Sequence, residues 1–194
     1  MRDVFRHYQD RTEGRPDTFI RNEYRAHLLD QSRKVIAEYV HAPVDAIVLT
    51  TNTSTAIDTI LRNLVYKPGD VIVTFSTVYG AFRNLLLYLA EISPVESWTV
   101  DYVQPIADER LCELFEKTLK DISVAGKTAR VALFDTVTSE PGVRAPFERL
   151  TEICRSHGVL SCIDGAHGTL QYAYISHSVP TDTYSRRGRS RFGS

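Results

Sequence analysis

Short apolar runs alternate with longer amphipathic stretches along most of this chain, and that alternation constrains the fold more than any other feature. Val71-Ile-Val-Thr74, Trp98 to Val103, Arg130-Val-Ala-Leu-Phe134 and Val159-Leu-Ser-Cys-Ile163 have the length and composition of buried strands. Ala46-Ile-Val-Leu-Thr50 reads as a further strand. Between these runs, apolar residues recur at helical spacing. Residues 26–41 place Leu28, Leu29, Val35, Ile36 and Tyr39 near one face, and Pro43 stops the pattern. Ala56 to Leu64, Tyr79 to Ile92, Asp108 to Ile122 and Pro146 to His157 repeat the motif, with Gly158 as a stop signal after the last. Lys67-Pro-Gly-Asp70 is a turn.

Strands that alternate with helices predict an α/β fold with a mostly parallel sheet and helices on both faces. Ligands of such sheets sit at the carboxyl ends of the strands. The polar clusters that follow predicted strands are Thr51–Thr55, Ser76–Tyr79, Asp135–Ser139 and Asp164–His167, so a site is expected there.

Composition narrows the function classes. The chain is 43% hydrophobic and 24% charged, enough for one globular domain with a sizeable core. Its 23 basic and 24 acidic residues exert no global pull toward nucleic acid or an anionic membrane. No apolar run reaches the roughly 18 residues of a membrane span. The charged start Met1-Arg-Asp-Val-Phe-Arg-His lacks an apolar signal core, so a cytoplasmic protein is expected. Cys112, Cys154 and Cys162 are odd in number and lack paired spacing, which argues for reduced, buried thiols and against a disulfide framework or a metal site.

The pattern breaks near Gly168. Residues 169–194 carry no apolar period and end in an arginine-rich stretch from Tyr184 to Ser194. The expected organisation is therefore a partial domain over 1–168 and a disordered tail, foreign to the fold, over 169–194.

Two segments can carry chemistry. Asp164-Gly-Ala-His-Gly168 puts a carboxylate directly after a buried strand, with His167 beside it and two glycines that let the backbone turn and approach a ligand. Asp164 admits two readings here: a ligand-binding carboxylate, or an aspartate that caps the next turn. Thr50-Thr-Asn-Thr-Ser-Thr-Ala56 puts hydroxyls and unpaired N–H groups at a helix start, a phosphate cradle in one reading and simple capping by Thr53 or Ser54 in the other. Neither a GxGxxG nor a Walker lysine motif is present to support nucleotide binding.

Taken in order, six segments resemble the class V aminotransferases, which are fold-type-I pyridoxal-phosphate (PLP) enzymes. The segments are Leu49-Thr-Thr-Asn-Thr-Ser-Thr-Ala56, Pro68-Gly-Asp70, Tyr79-Gly-Ala81, Leu133-Phe-Asp-Thr-Val-Thr-Ser139, Pro141-Gly142 and Ile163-Asp-Gly-Ala-His-Gly168. The nearest look is to the isopenicillin N epimerase-like branch. The resemblance implies the central part of a PLP-transferase large domain and a PLP-dependent reaction of an amino-acid substrate: amino transfer, epimerisation or C–S lysis. It implies that Asp164 pairs with the pyridine nitrogen, His167 reaches the phenolic oxygen, Thr53 and Ser54 take the phosphate, Tyr79 stacks on the ring, and Thr136 lies near the phenolic oxygen. A homodimer is implied as well.

One departure stands out. The family carries a lysine a few tens of residues after this aspartate, which joins the cofactor in a Schiff base. The last lysine here is Lys127, and residues 169–194 contain none. The family's Asn-His-Gly-like N-terminal motif and its C-terminal small domain also have no counterpart. The expectation is a truncated fragment, not catalytically competent alone, or a non-catalytic remnant that binds a partner such as a full-length paralogue.

Overall fold

The computed structural model describes residues 1–168, which divide into two compact units, Met1–Leu49 and the stretch from Thr50 onward. The expectations for residues 169–194 lie outside the described residues.

The first unit is helical. Helices α1 (Arg2–Gly14) and α2 (Pro16–Thr18) lead into a π-helical segment, Phe19–Leu28, and then α3 (Leu29–Tyr39). The helix expected over 26–41 is therefore present, and the backbone leaves it at His41 with a left-handed φ of 52°. Helix α1 was not anticipated. It buries no residue, leaving Val4, Phe5 and Tyr8 exposed; polar pairs such as Gln9–Glu13 and the Arg11–Glu23 ion pair accompany it.

The strand expected at Ala46–Thr50 does not form. A 3₁₀ turn, Val44–Ala46, occupies its start, and Val48 is 82% exposed. The reason lies in the backbone acceptors. The Arg33 guanidinium donates to the carbonyls of Val44 and Ile47 at 2.8 Å each, so a side chain takes the Ile47 acceptor that a sheet neighbour would have used.

The second unit is the predicted α/β fold. Its elements are α4 (Thr53–Arg62), β1 (Asp70–Phe75), α5 (Gly80–Ile92), β2 (Glu96–Val100), α6 (Asp108–Val124), β3 (Thr128–Asp135), α7 (Phe147–Ser156) and β4 (Leu160–Asp164). The four strands form one sheet in the order β2-β1-β3-β4, parallel throughout. Strand β2 begins and ends earlier than expected: after Val100 the chain turns away, and the Tyr102 hydroxyl meets Thr77 at 2.9 Å. Gly158, at φ 69°, ends α7 in the left-handed conformation that glycine adopts without strain.

Alternation along the strands sends side chains to two cores. Val71, Val73, Phe75, Ala132 and Phe134 meet α6 and α7 through Phe115, Leu119, Phe147 and Leu150. Ile72, Val131, Leu133 and Cys162 meet α4 and α5 through Leu61, Phe82, Leu86 and Leu89. Both sheet faces are therefore covered, which is why the strands read as unbroken apolar runs. The strand order reverses at β1 and β3. Successive crossovers run first to β2 and then back across β1 to β3, so the loops leaving β1 and β3 diverge and open a crevice.

Candidate cofactor site

The carboxyl ends of β3 and β4 carry adjacent carboxylates. Asp135 and Asp164 are register partners, and each is about 8% exposed. Asp164 Oδ1 accepts a hydrogen bond from the Ala166 amide at 2.9 Å, so the capping reading of this residue is realised by one of its two oxygens. The Asp164 carbonyl accepts from the Thr136 amide at 2.9 Å and from Thr136 Oγ1 at 3.1 Å. Thr136, fully buried, thus clamps the end of β4 from the end of β3.

Gly168 packs against Thr136. A Cβ placed there would lie 2.7 Å from Thr136 Cβ, so the glycine lets the Asp164–Gly168 turn close on Thr136. The Gly168 amide donates to the Gly165 carbonyl at 3.0 Å and completes that turn. His167, between them, is exposed.

Thr53 and Ser54 open α4, but neither caps it. Asn52 does, accepting from the Thr55 amide at 2.8 Å. The Thr53 and Ser54 hydroxyls make no hydrogen bond among the described residues, and they share the first turn with backbone N–H groups that lack helical partners. Helix α4 packs on β4, and the short link from its last turn, where the Tyr66 hydroxyl meets the Leu61 carbonyl, leads straight into β1. It therefore runs opposite to the strands, and its start lies toward their carboxyl ends. Tyr79 follows β1 on the same edge, half exposed, its ring edge-on to Phe82 at 5.7 Å. Direct bonds join only Thr136 and Asp164 among the six expected site residues; Thr53, Ser54 and Tyr79 share their edge of the sheet.

Two features go beyond the sequence reading, which placed Asp135 only as the first residue of the Asp135–Ser139 cluster. Asp135 lines a small pocket together with Thr77, Tyr102 and Thr138 at the reversal of strand order. Burial, and after it the charge of Asp164, pushes its carboxyl up to about 7. The signal was its place, the last residue of an apolar run, which it shares with Asp164. The second feature is where the lysines lie. In this unit Lys67 and Lys127 precede strands, and Lys117 and Lys120 lie exposed on α6 in ion pairs with Asp121 and Glu116. None follows a strand's carboxyl end.

The three cysteines are free and buried, as expected, and burial pushes the Cys154 and Cys162 thiols up to about 12. No metal-binding cluster and no helix long and apolar enough to cross a membrane occur among the described residues.

The family model of class V aminotransferases matches residues 3–184. The chain belongs to the class V aminotransferase family. The match continues beyond Gly168. This family member is 35% identical over 180 residues to the L-cysteine desulfhydrase-like protein lolT1 of Epichloe uncinata, a match covering 92% of this chain and 39% of that protein. It is 32% identical over 174 residues to the L-cysteine desulfhydrase of Arabidopsis thaliana, covering 84% of this chain and 38% of that protein. The chain thus spans about two fifths of the length of these relatives.

Among solved structures it resembles the cystine C–S lyase C-DES in complex with its product cysteine persulfide. The TM-score is 0.78 at 17% identity, over 89% of this chain and 45% of that one. The apo cysteine desulfurase from Thermococcus onnurineus NA1 gives 0.60 at 23% identity, over 69% of this chain and 32% of that one. At these identities the likeness establishes the fold, that of fold-type-I PLP enzymes, and PLP is the family's cofactor.

The donor set suits that cofactor. Asp164 is a buried carboxylate with no basic partner among the described residues, a costly arrangement unless a cation meets it. A protonated pyridine nitrogen is such a cation. The unspent hydroxyls and N–H groups opening α4 suit a phosphate.

Proposed function

We propose that this chain forms the cofactor-binding part of a PLP-dependent enzyme that acts on an amino acid, with C–S bond cleavage as the reaction. The observation that carries the reading is Asp164: buried at a strand end, fixed through Ala166 and Thr136, and lacking a basic partner among the described residues. The desulfhydrase names of the relatives favour C–S lysis over amino transfer or epimerisation.

When bound, PLP supplies an electron sink that draws charge from the substrate's α-carbon. Asp164 keeps the ring nitrogen protonated through the carboxylate oxygen that Ala166 leaves free. Thr136 fixes the carboxylate's backbone, so Asp164 presents itself without a reorganisation cost. Thr53 and Ser54 hold the phosphate with hydroxyls and first-turn N–H groups. Tyr79 covers the ring, and His167 reaches its phenolic oxygen. A family homodimer and an amino-acid substrate belong to the same proposal.

The chain alone does not turn over substrate, because no lysine lies at the carboxyl ends of the strands to take and return the proton. That same observation favours the second reading, a non-catalytic remnant that binds a partner such as a full-length paralogue.

The test is PLP binding by the purified chain, followed by fluorescence, for the native sequence and for Asp164→Asn. The expected result is saturable binding that weakens by roughly tenfold or more in the variant, about 1.4 kcal/mol. Equal affinity in both would assign Asp164 to turn capping and nothing more.

A further inference from the structure

Asp135 is the buried titratable group that the cofactor reading leaves without a role. Its carboxyl makes no hydrogen bond or ion pair among the described residues, and Asp135 is one of the residues that line the small pocket at the strand-order reversal. Its register partner on the next strand is Asp164, also buried. Strands in a sheet lie about 4.8 Å apart, and side chains at paired positions of parallel strands point to the same face. Two carboxylates that close in a low-dielectric site do not both ionise cheaply, so one of them keeps its proton.

The surroundings decide which. Asp164 has one carboxylate oxygen engaged by the Ala166 amide. Asp135 has no such donor. The other walls of its pocket bring no cation either: Thr77 from the loop after β1, Tyr102 from the segment after β2, Leu111 from α6, Leu150 from α7 and Thr138 from the loop after β3. Tyr102, whose hydroxyl is engaged with Thr77, is the one other titratable group lining it.

We propose that Asp135 is a positioning residue: it holds the proton of an Asp135–Asp164 carboxyl pair, so that Asp164 alone carries the negative charge that meets the ring nitrogen of PLP. The pair itself follows from the fold, and its purpose rests on the PLP reading above. Protonated Asp135 keeps the site at one negative charge and spares Asp164 a competing anion. A cation arriving at Asp164 then favours release of the Asp135 proton, so cofactor binding and Asp135 ionisation are linked.

Carbon-13 NMR titration of the side-chain carboxyls in the full chain tests this. In the free protein one aspartate carboxyl titrates with a midpoint near about 7, and Asp135→Asn removes that transition. In Asp164→Asn the midpoint falls toward the ordinary carboxylate range, because the neighbouring charge has gone. Saturating PLP also lowers it. An unperturbed set of aspartate midpoints in the native chain, or a high midpoint unmoved by Asp164→Asn, would overturn the pair. A midpoint unmoved by PLP that demonstrably binds would overturn the positioning role. Failure of PLP to bind at all, with the titration and its Asp164→Asn response intact, would instead sink the cofactor reading. The Asn variant is isosteric with the protonated acid, so it preserves packing while removing the titration.

Discussion

A Cβ added at Gly168 would press into the Thr136 side chain, and Thr136 in turn holds the end of β4 through two bonds to the Asp164 carbonyl. Gly168→Ala therefore forces either the turn or Thr136 to move. The expected loss is about 1–3 kcal/mol, the usual cost of overpacking, read from urea unfolding. A neutral result would mean that the turn relaxes freely and does not fix Asp164. Asp135 makes a second prediction at this scale. Its carboxyl, raised from 3.8 to about 7, keeps a proton in the folded chain that the unfolded chain has already lost between those values. Its contribution to stability is thus fully present below about 4 and is lost as pH rises through about 7, by at most a few kcal/mol. Asp135→Asn should flatten that part of the stability–pH curve, and an unchanged slope would show that Asp135 is not the group responsible.

Helix α4 is the element on which the phosphate reading depends, and its start is set by Asn52 rather than by the hydroxyls after it. Asn52→Ala should cost about 1 kcal/mol of stability in thermal or chemical melts. Thr53→Ala and Ser54→Ala should cost far less stability yet weaken PLP binding, measured by the same fluorescence titration. A variant of either hydroxyl that melts like Asn52→Ala would return these residues to a capping role. Elements with an apolar period were legible in the sequence. Strands β1 and β3 and helices α5, α6 and α7 stand within a few residues of their expected places, because burial on both sheet faces leaves no polar interruption. Helix α1 escaped notice because its few apolar residues, Val4, Phe5 and Tyr8, stand exposed among charged neighbours and it buries nothing. The run at 46–50 misled because its apolar letters suit a strand, whereas strand formation also needs a neighbour's backbone, and Arg33 holds the Ile47 carbonyl.

At the scale of the whole molecule, none of the second unit's lysines follows a strand's carboxyl end, so covalent capture of PLP at a single lysine there is not expected. Borohydride reduction after PLP addition, followed by peptide mapping, should recover no stoichiometric adduct on Lys67, Lys117, Lys120 or Lys127. One dominant adduct on any of them would contradict the placement of the site at the carboxyl ends of the strands. Strands β2 and β4 end the described sheet on its two sides, and unpaired strand edges promote association. Self-association in light scattering is expected, and a monodisperse monomer would show that these edges are protected.

The alternation of apolar runs and amphipathic stretches determined the α/β class, the parallel sheet and the end of the sheet where Asp164, Thr136 and Tyr79 stand. Local spacing is enough for that, since period and burial are written along the chain. The pairing of Asp135 with Asp164, the clamp of Thr136 on β4 and the fit of Gly168 against Thr136 join residues 28 to 32 positions apart, and the tertiary structure alone decided them. Which strand lies beside which depends on crossovers that return across β1. No local pattern encodes that choice, so two carboxylates that look independent in the sequence become neighbours only once β3 and β4 have paired.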